Sequence, residues 1–347
     1  MAKGEARLVT PWSDPPAEGE ATEVAPGVLW MRLPLPMALD HANVYALEDK
    51  DGWTIVDTGI RSNRSIALWE KLLSGPLAGR PVQRVIVTHH HPDHVGMAGW
   101  LMARFSAQLM MTRTAYLMAR MLILDIEERP TPQALRFWTR AGMPTDIYET
   151  RRTQRPYNFG DICAPLPVGY TRLRQDDCLR IGGRDWQVHI GHGHAPEHLT
   201  LWSRSDHLVL AGDQIIASIS PNIGVYPTEP EADPIREWLE SCARLALLAR
   251  EDHLVLSGHK LPFTGLPFRM QQLIENHEGA LMRLQTHLTT PRVAVECFAP
   301  LFKRRIDSGT YGLALVEAVA HLNHLFQTGR CTRWLNDSGA WLWQASD

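Results

Sequence analysis

The string His89-His90-His91-Pro92-Asp93-His94 constrains this chain more than any other feature. It follows directly on residues 82–88 (VQRVIVT), a β-branched run that predicts a buried strand. The loop carries His89, His91, Asp93 and His94, four side chains that can converge on one small volume. Imidazole and carboxylate together suit zinc and neighbouring transition metals. The alternative is a polar turn with solvated histidines, and the density of ligand types after a strand argues against it.

Three further ligand types stand after strands. Residues 186–190 lead into Gly191-His192-Gly193-His194-Ala195-Pro196-Glu197-His198, residues 208–211 into Gly212-Asp213, and residues 254–256 into Ser257-Gly258-His259. Residues 52–57 (GWTIVD) form another strand, ending at Asp57. Strand patterns also occupy 28–33, 43–47, 178–181 and 199–202. Helical spacing occupies 65–73, 95–105, 112–128, 132–139 and 234–248, with Thr131 as N-cap before Pro132. Strands and helices alternate around two halves, 28–105 and 178–260, which predicts an α/β fold. Residues 10–27 are rich in Pro, Gly and Glu, so 1–24 reads as a loose leader. From 267 the pattern becomes helical, at 268–288, from Thr290-Pro291 onward and at 313–326. A hairpin over 331–343 turns at Asn336-Asp337-Ser338-Gly339, which predicts a small winged-helix-like unit.

Charge and cysteine content narrow the function classes. Thirty-five basic against 38 acidic residues leave a net charge of −3, without the basic field of a nucleic-acid binder. No apolar run reaches the roughly 18 residues of a membrane span. No apolar h-region marks residues 1–20 as a secretory signal. The five cysteines, 163, 178, 242, 297 and 331, are scattered without a CxxC pair. That speaks against a disulfide framework or a cysteine zinc site and for a reducing cytoplasm. A Gly-x-Ser-x-Gly elbow is absent from the sequence.

Residues 88–96 (THHHPDHVG) resemble the defining motif of the metallo-β-lactamase-fold hydrolases. The resemblance continues through Asp57 in IVDTG, His194 in the GH-x-x-x-H segment, Asp213 in LAGD and His259 in SGH. It implies a four-layer αββα sandwich over 25–265, with metals at one edge and a helical insertion at about 106–160. The remaining 266–347 resembles the winged-helix-like tail of some hydrolases of this fold. By resemblance, His89, His91 and His194 hold a first metal, and Asp93, His94 and His259 a second. Asp213 bridges the two, and Asp57 orients the ligand loop from behind. Two zinc ions are implied, with iron or manganese as alternatives. A hydroxide bridging them attacks the substrate, and Asp93 orients it and passes a proton to the leaving group.

Within that family, Asp213 points away from true zinc β-lactamases, which lack an equivalent bridging aspartate. Flavodiiron oxygen reductases usually carry Glu where His91 stands. The chain is most similar to the glyoxalase II-like hydrolases of thioesters, esters and lactones, hydroxyacylglutathione hydrolases among them. Their GHTxGH segment reads Gly193-His194-Ala195-Pro196-Glu197-His198 here, with His198 placed beside the site. A mononuclear iron dioxygenase of the persulfide type and a phosphodiesterase of the same fold are the alternatives.

Six methionines lie within 97–121, and Met118 or Met121 is expected to line a substrate cleft under a helical flap. Tyr157 is expected to contact substrate as well, and Arg151, Arg152 and Arg155 beside it either grip an anionic group or form a solvated loop. The expected partner is a small molecule, with neither nucleic acid nor membrane. Lys303, Arg304 and Arg305 form the one tight basic cluster of the C-terminal unit. That unit is expected to pack on the catalytic domain or to form a homodimer.

Overall fold

Side-chain alternation along one group of strands builds two hydrophobic layers at once. In β2 (Val28–Pro34), Val28 and Trp30 point to one side and Met31 and Leu33 to the other. The same division runs through β3 (His41–Asp49), β4 (Gly52–Val56), β5 (Val82–Ile86) and β6 (Gln108–Met111). With the edge strands β1 (Thr22–Ala25) and β7 (Thr171–Arg172), these form a seven-stranded sheet in sequence order. The first four strands pair antiparallel, and β4 through β7 run parallel. The structure is a computed structural model and describes residues 7–37, 39–302 and 305–346.

A second sheet of five strands has the order β12-β11-β10-β9-β8. Its members are β8 (Cys178–Ile181), β9 (Arg184–Gly191), β10 (His198–Ser203), β11 (Leu208–Gly212) and β12 (Leu254–Ser257). Trp186, Val188, Leu199, Leu201, Leu210 and Leu256 face Trp30, Tyr45, Val56 and Ile86 in the layer between the sheets. The other face of the first sheet is covered by α1 (Asn63–Ser74), α3 (Ala98–Phe105) and α4 (Arg113–Leu124). Trp69, Leu72, Leu101, Tyr116 and Ile123 supply that layer. A short helix, α2 (Pro92–Val95), precedes α3.

The chain divides into two compact units. The first comprises Met1–Ile126, Asn158–Pro221 and Leu245–Met270 and holds both sheets. The second comprises Glu127–Tyr157, Asn222–Arg244 and Gln271–Asp347. It contains α5 (Pro132–Arg140) and α6 (Thr145–Arg151), whereas α7 (Phe159–Ile162) belongs to the first unit. Most of α8 (Pro234–Ala246) and of α9 (Leu266–His287) falls in the second unit. There follow a 3-10 turn (Ala294–Cys297), α10 (Phe298–Leu301) and α11 (Tyr311–Gln327), the last with an almost wholly buried interior. The expected hairpin is present as β13 (Cys331–Leu335) and β14 (Trp341–Ala345), closed by Leu335 opposite Trp341.

Several expectations are revised. Thr22–Ala25 is an edge strand paired with β2, so the sheet begins inside the expected leader. Residues 95–105 are not one helix. The Met97 N–H bonds to the Gly59 carbonyl and the Thr58 hydroxyl, which breaks the helical ladder. Residues 106–160 are not all helical, because β6 lies among them as an interior strand. Arg292, after Pro291, pairs with Trp343 before the 3-10 turn begins, so Thr290-Pro291 opens no helix. Lys303 and Arg304 lie outside the described residues. Among the described residues no helix is long and apolar enough to cross a membrane.

Candidate metal centre

Parallel pairing brings the chemistry to one edge. β4 and β5 run parallel, as do β11 and β12, so the loops after their carboxyl ends open together. Those loops deliver Asp57, the 89–94 string, Asp213 and His259, and the loop after β9 adds His194. The expected metal ligands and Asp57 therefore lie in the first unit.

The ligand atoms form overlapping groups: His89, His91 and His194; His89, His94 and Asp213; Asp93, His94 and His259. His89 Nε2 and His91 Nδ1 stand 3.0 Å apart. Asp213 Oδ2 lies 3.6 Å from His194 Nε2 and 3.3 Å from His259 Nε2, and its Oδ1 lies 3.5 Å from His94 Nε2. Asp93 Oδ2 lies 3.1 Å from His259 Nε2 and 3.5 Å from His94 Nε2. Two donors on one tetrahedral zinc, bonded at about 2.0–2.1 Å, stand roughly 3.3 Å apart, so these spacings fit shared ions. The buried His94 Nε2 and Asp213 Oδ1 have no hydrogen-bond partner, as expected of atoms kept for a cation.

Partners behind the ligands set the tautomers. The Asp57 carboxylate accepts from the Thr88 N–H at 2.8 Å, the Thr88 hydroxyl at 2.9 Å and His94 Nδ1 at 2.9 Å. Thr88 Oγ1 then accepts from His89 Nδ1 at 3.0 Å, and His259 Nδ1 donates to the His41 carbonyl at 2.9 Å. With Nδ1 carrying the proton, His89, His94 and His259 each turn an Nε2 lone pair inward. His198 is placed behind the site, where its Nε2 accepts the Asp213 N–H at 3.1 Å. Sequence reasoning passed over Thr88, His41 and Asn43. Asn43 donates to the Ser257 and Lys260 carbonyls and so holds the His259 loop. The signal for Thr88 lay in the quoted motif, but none in the sequence links 43 to 257.

Electrostatics divide the site. Burial would raise the Asp213 and Asp93 carboxyls, but positive charge on His259 and His94 holds both well below the usual carboxylate range. Burial would lower His94 and His259, and the carboxylates reverse that, taking His259 to about 10. Burial and neighbouring imidazoles push His89 and His91 well down, leaving them neutral donors. A cation entering the carboxylate side thus displaces protons.

Glu197 replaces the expected glycine at a positive φ of 48°. Its carbonyl accepts the Thr112 hydroxyl and its carboxylate the Thr114 N–H. The acid therefore caps the start of α4 and ties that helix to the His194 loop. On α4, Met118 is partly buried and Met121 is 44 % exposed, while Ala115, Tyr116, Ala119 and Ile123 form the buried face. Tyr157 belongs to the second unit and is 66 % exposed. Nearby, Arg152 pairs with Glu149 and Arg155 with Glu128, as a solvated loop would.

A further histidine–carboxylate group, His277, Glu317 and His321, lies in the second unit. His277 Nδ1 and His321 Nε2 are 3.2 Å apart with ring centroids 5.4 Å apart, so the nitrogens meet nearly end to end. At His89 and His91 the centroids are only 4.6 Å apart, and the lone pairs incline towards a common point. The former is the geometry of an N–H···N hydrogen bond and the latter that of two ligands on one ion.

Residues 38–259 match the family model described as the Metallo-beta-lactamase superfamily, and residues 281–346 match the Metallo-beta-lactamase-like, C-terminal domain. The chain is 23% identical over 304 residues to the probable metallo-hydrolase YqjP of Bacillus subtilis, covering 86% of this chain and 92% of that protein. It is similar to the crystal structure of a beta-lactamase domain protein from Burkholderia ambifaria, with a TM-score of 0.90 and 36% identity, covering 98% of each chain. A metallo-beta-lactamase family protein from Thermus thermophilus gives a TM-score of 0.77 and 25% identity, covering 93% of this chain and 100% of that one.

Proposed function

Because the chain belongs to the metallo-β-lactamase superfamily, we propose that it is a dinuclear zinc hydrolase of a small thioester, ester or lactone. The observation that carries this reading is the Asp213 carboxylate, whose Oδ2 lies near both His194 and His259, a residue from each proposed ligand group, while its Oδ1 faces His94. Such a carboxylate can serve two ions at once. His89, His91 and His194 would hold one, and Asp93, His94 and His259 the other. Ions held there would supply a water of lowered pKa and polarise the oxygen of the bond to be cleaved. Asp93, partly exposed and beside His259, would orient the attacking water and move a proton towards the leaving group. Buried His89 and His94 exclude bulk water from the floor of the site, which strengthens every charge interaction there.

The five free cysteines fit a reducing cytoplasm. The helices and hairpin after 266 keep a winged-helix-like reading of the C-terminal part. A panel of S-acyl thioesters, lactones and phosphodiesters, run on protein of counted metal content, tests the proposal. Hydrolysis of thioesters or lactones by the two-zinc form is expected. Hydrolysis of phosphodiesters alone, or oxygen uptake with a thiol-derived substrate by a one-iron form, would overturn it.

A further inference from the structure

A cavity of about 230 Å³ lies wholly within the second unit, lined by α5, the hairpin, α11 and residues 227–231. Its volume is that of roughly eight water-sized groups, enough for a small organic molecule and too little for a folded segment. Three arginines line it, Arg136, Arg140 and Arg333, against one acidic residue, Glu231. Arg333 is paired with Glu231 at 2.9 Å, and its side chain is only 10% exposed. Arg140 gives one N–H to the Gly339 carbonyl at 2.9 Å. The wall therefore keeps a surplus of positive charge and of guanidinium donors.

The remaining chemistry is planar and polar. The guanidinium of Arg140 lies 5.0 Å from the Trp341 ring centroid and that of Arg333 lies 4.2 Å from it, which fixes both side chains over an aromatic surface. Phe137 and Trp343 add apolar wall. Asn323 and Trp343 also line it, each only 1% exposed.

We propose that this cavity binds a small aromatic carboxylate, such as an aroylated amino acid, as a site separate from the metal ligands. The carboxylate meets Arg136 and Arg140, where charge-assisted bonds are strongest. The rest of the molecule lies against the aromatic rings.

Calorimetric titration of the full-length, metal-loaded protein with N-benzoylglycine tests this. Saturable binding is expected, with affinity about 10-fold weaker in Arg140→Gln and Arg136→Gln, the order expected for losing one charge-assisted bond. Arg136 is exposed, so its variant keeps the test open if Arg140→Gln does not fold. Binding should persist in Asp213→Asn, which separates this site from the metal centre, and N-methylbenzamide, lacking the carboxylate, should bind more weakly. No saturable heat, equal affinity in the folded arginine variants, loss of binding in Asp213→Asn, or equal binding of N-methylbenzamide would overturn the proposal.

Discussion

Asp213→Asn is expected to lose metal and activity together while the fold survives. Both carboxylate oxygens are committed, Oδ1 towards His94 and Oδ2 towards His194 and His259. Asparagine would offer one carbonyl oxygen and turn an NH₂ group towards a lone pair or a cation. Changing a partner behind a ligand typically costs about 10–100-fold in metal affinity or activity, and changing a ligand shared by two ions should exceed that. The backbone is insulated, because the Asp213 N–H to His198 bond does not involve the carboxylate. Metal content after gel filtration, kcat/KM and Tm should be measured on the same sample. Full metal content with wild-type turnover would remove Asp213 from the site.

Gly258→Ala should have an effect nearly as large through a single methyl group. An added Cβ would stand 2.2 Å from Asp213 Oδ1 and 2.7 Å from His94 Cε1. Its backbone N–H is bonded to the Gly212 carbonyl and its carbonyl accepts from the Asn43 N–H, so Gly258 is held from both sides. The Asp213 carboxylate must therefore give way. Displacing a reacting group by about 1 Å can cost roughly 100-fold in rate, and overpacking typically costs about 1–3 kcal/mol in stability. The expected result is a loss of metal and at least about a 100-fold drop in kcat/KM, with a moderate drop in Tm. A variant with native metal content and turnover would show that the cradle is not packed as described.

The ligand types were legible because each follows a strand whose β-branched or leucine-rich run is easily read, as in VQRVIVT before His89 and LVLAG before Asp213. Register along those strands then fixes the edge at which the loops open. What could not be read depends on pairs far apart in sequence. Asn43 and Tyr45 hold the Ser257 carbonyl across more than two hundred residues, with no local pattern to announce it. β6, reading QLMM, lacks the β-branched residues that mark its neighbours and becomes a strand by pairing between β5 and β7. The second unit gathers 127–157 and 222–244 with the C-terminal stretch, whereas the chain's texture changed only at 267. Glu197 shows a tertiary override: an acid occupies a left-handed position because its carboxylate caps α4.

The central claim is that one carboxylate, Asp213, serves two metal ions. Anomalous diffraction from crystals of fully zinc-loaded protein, collected on both sides of the zinc edge, tests it most directly. Two peaks roughly 3.5–4 Å apart are expected, with Asp213 contacting both. A single four-coordinate ion in fully loaded protein, or two ions with Asp213 bound to only one, would contradict it.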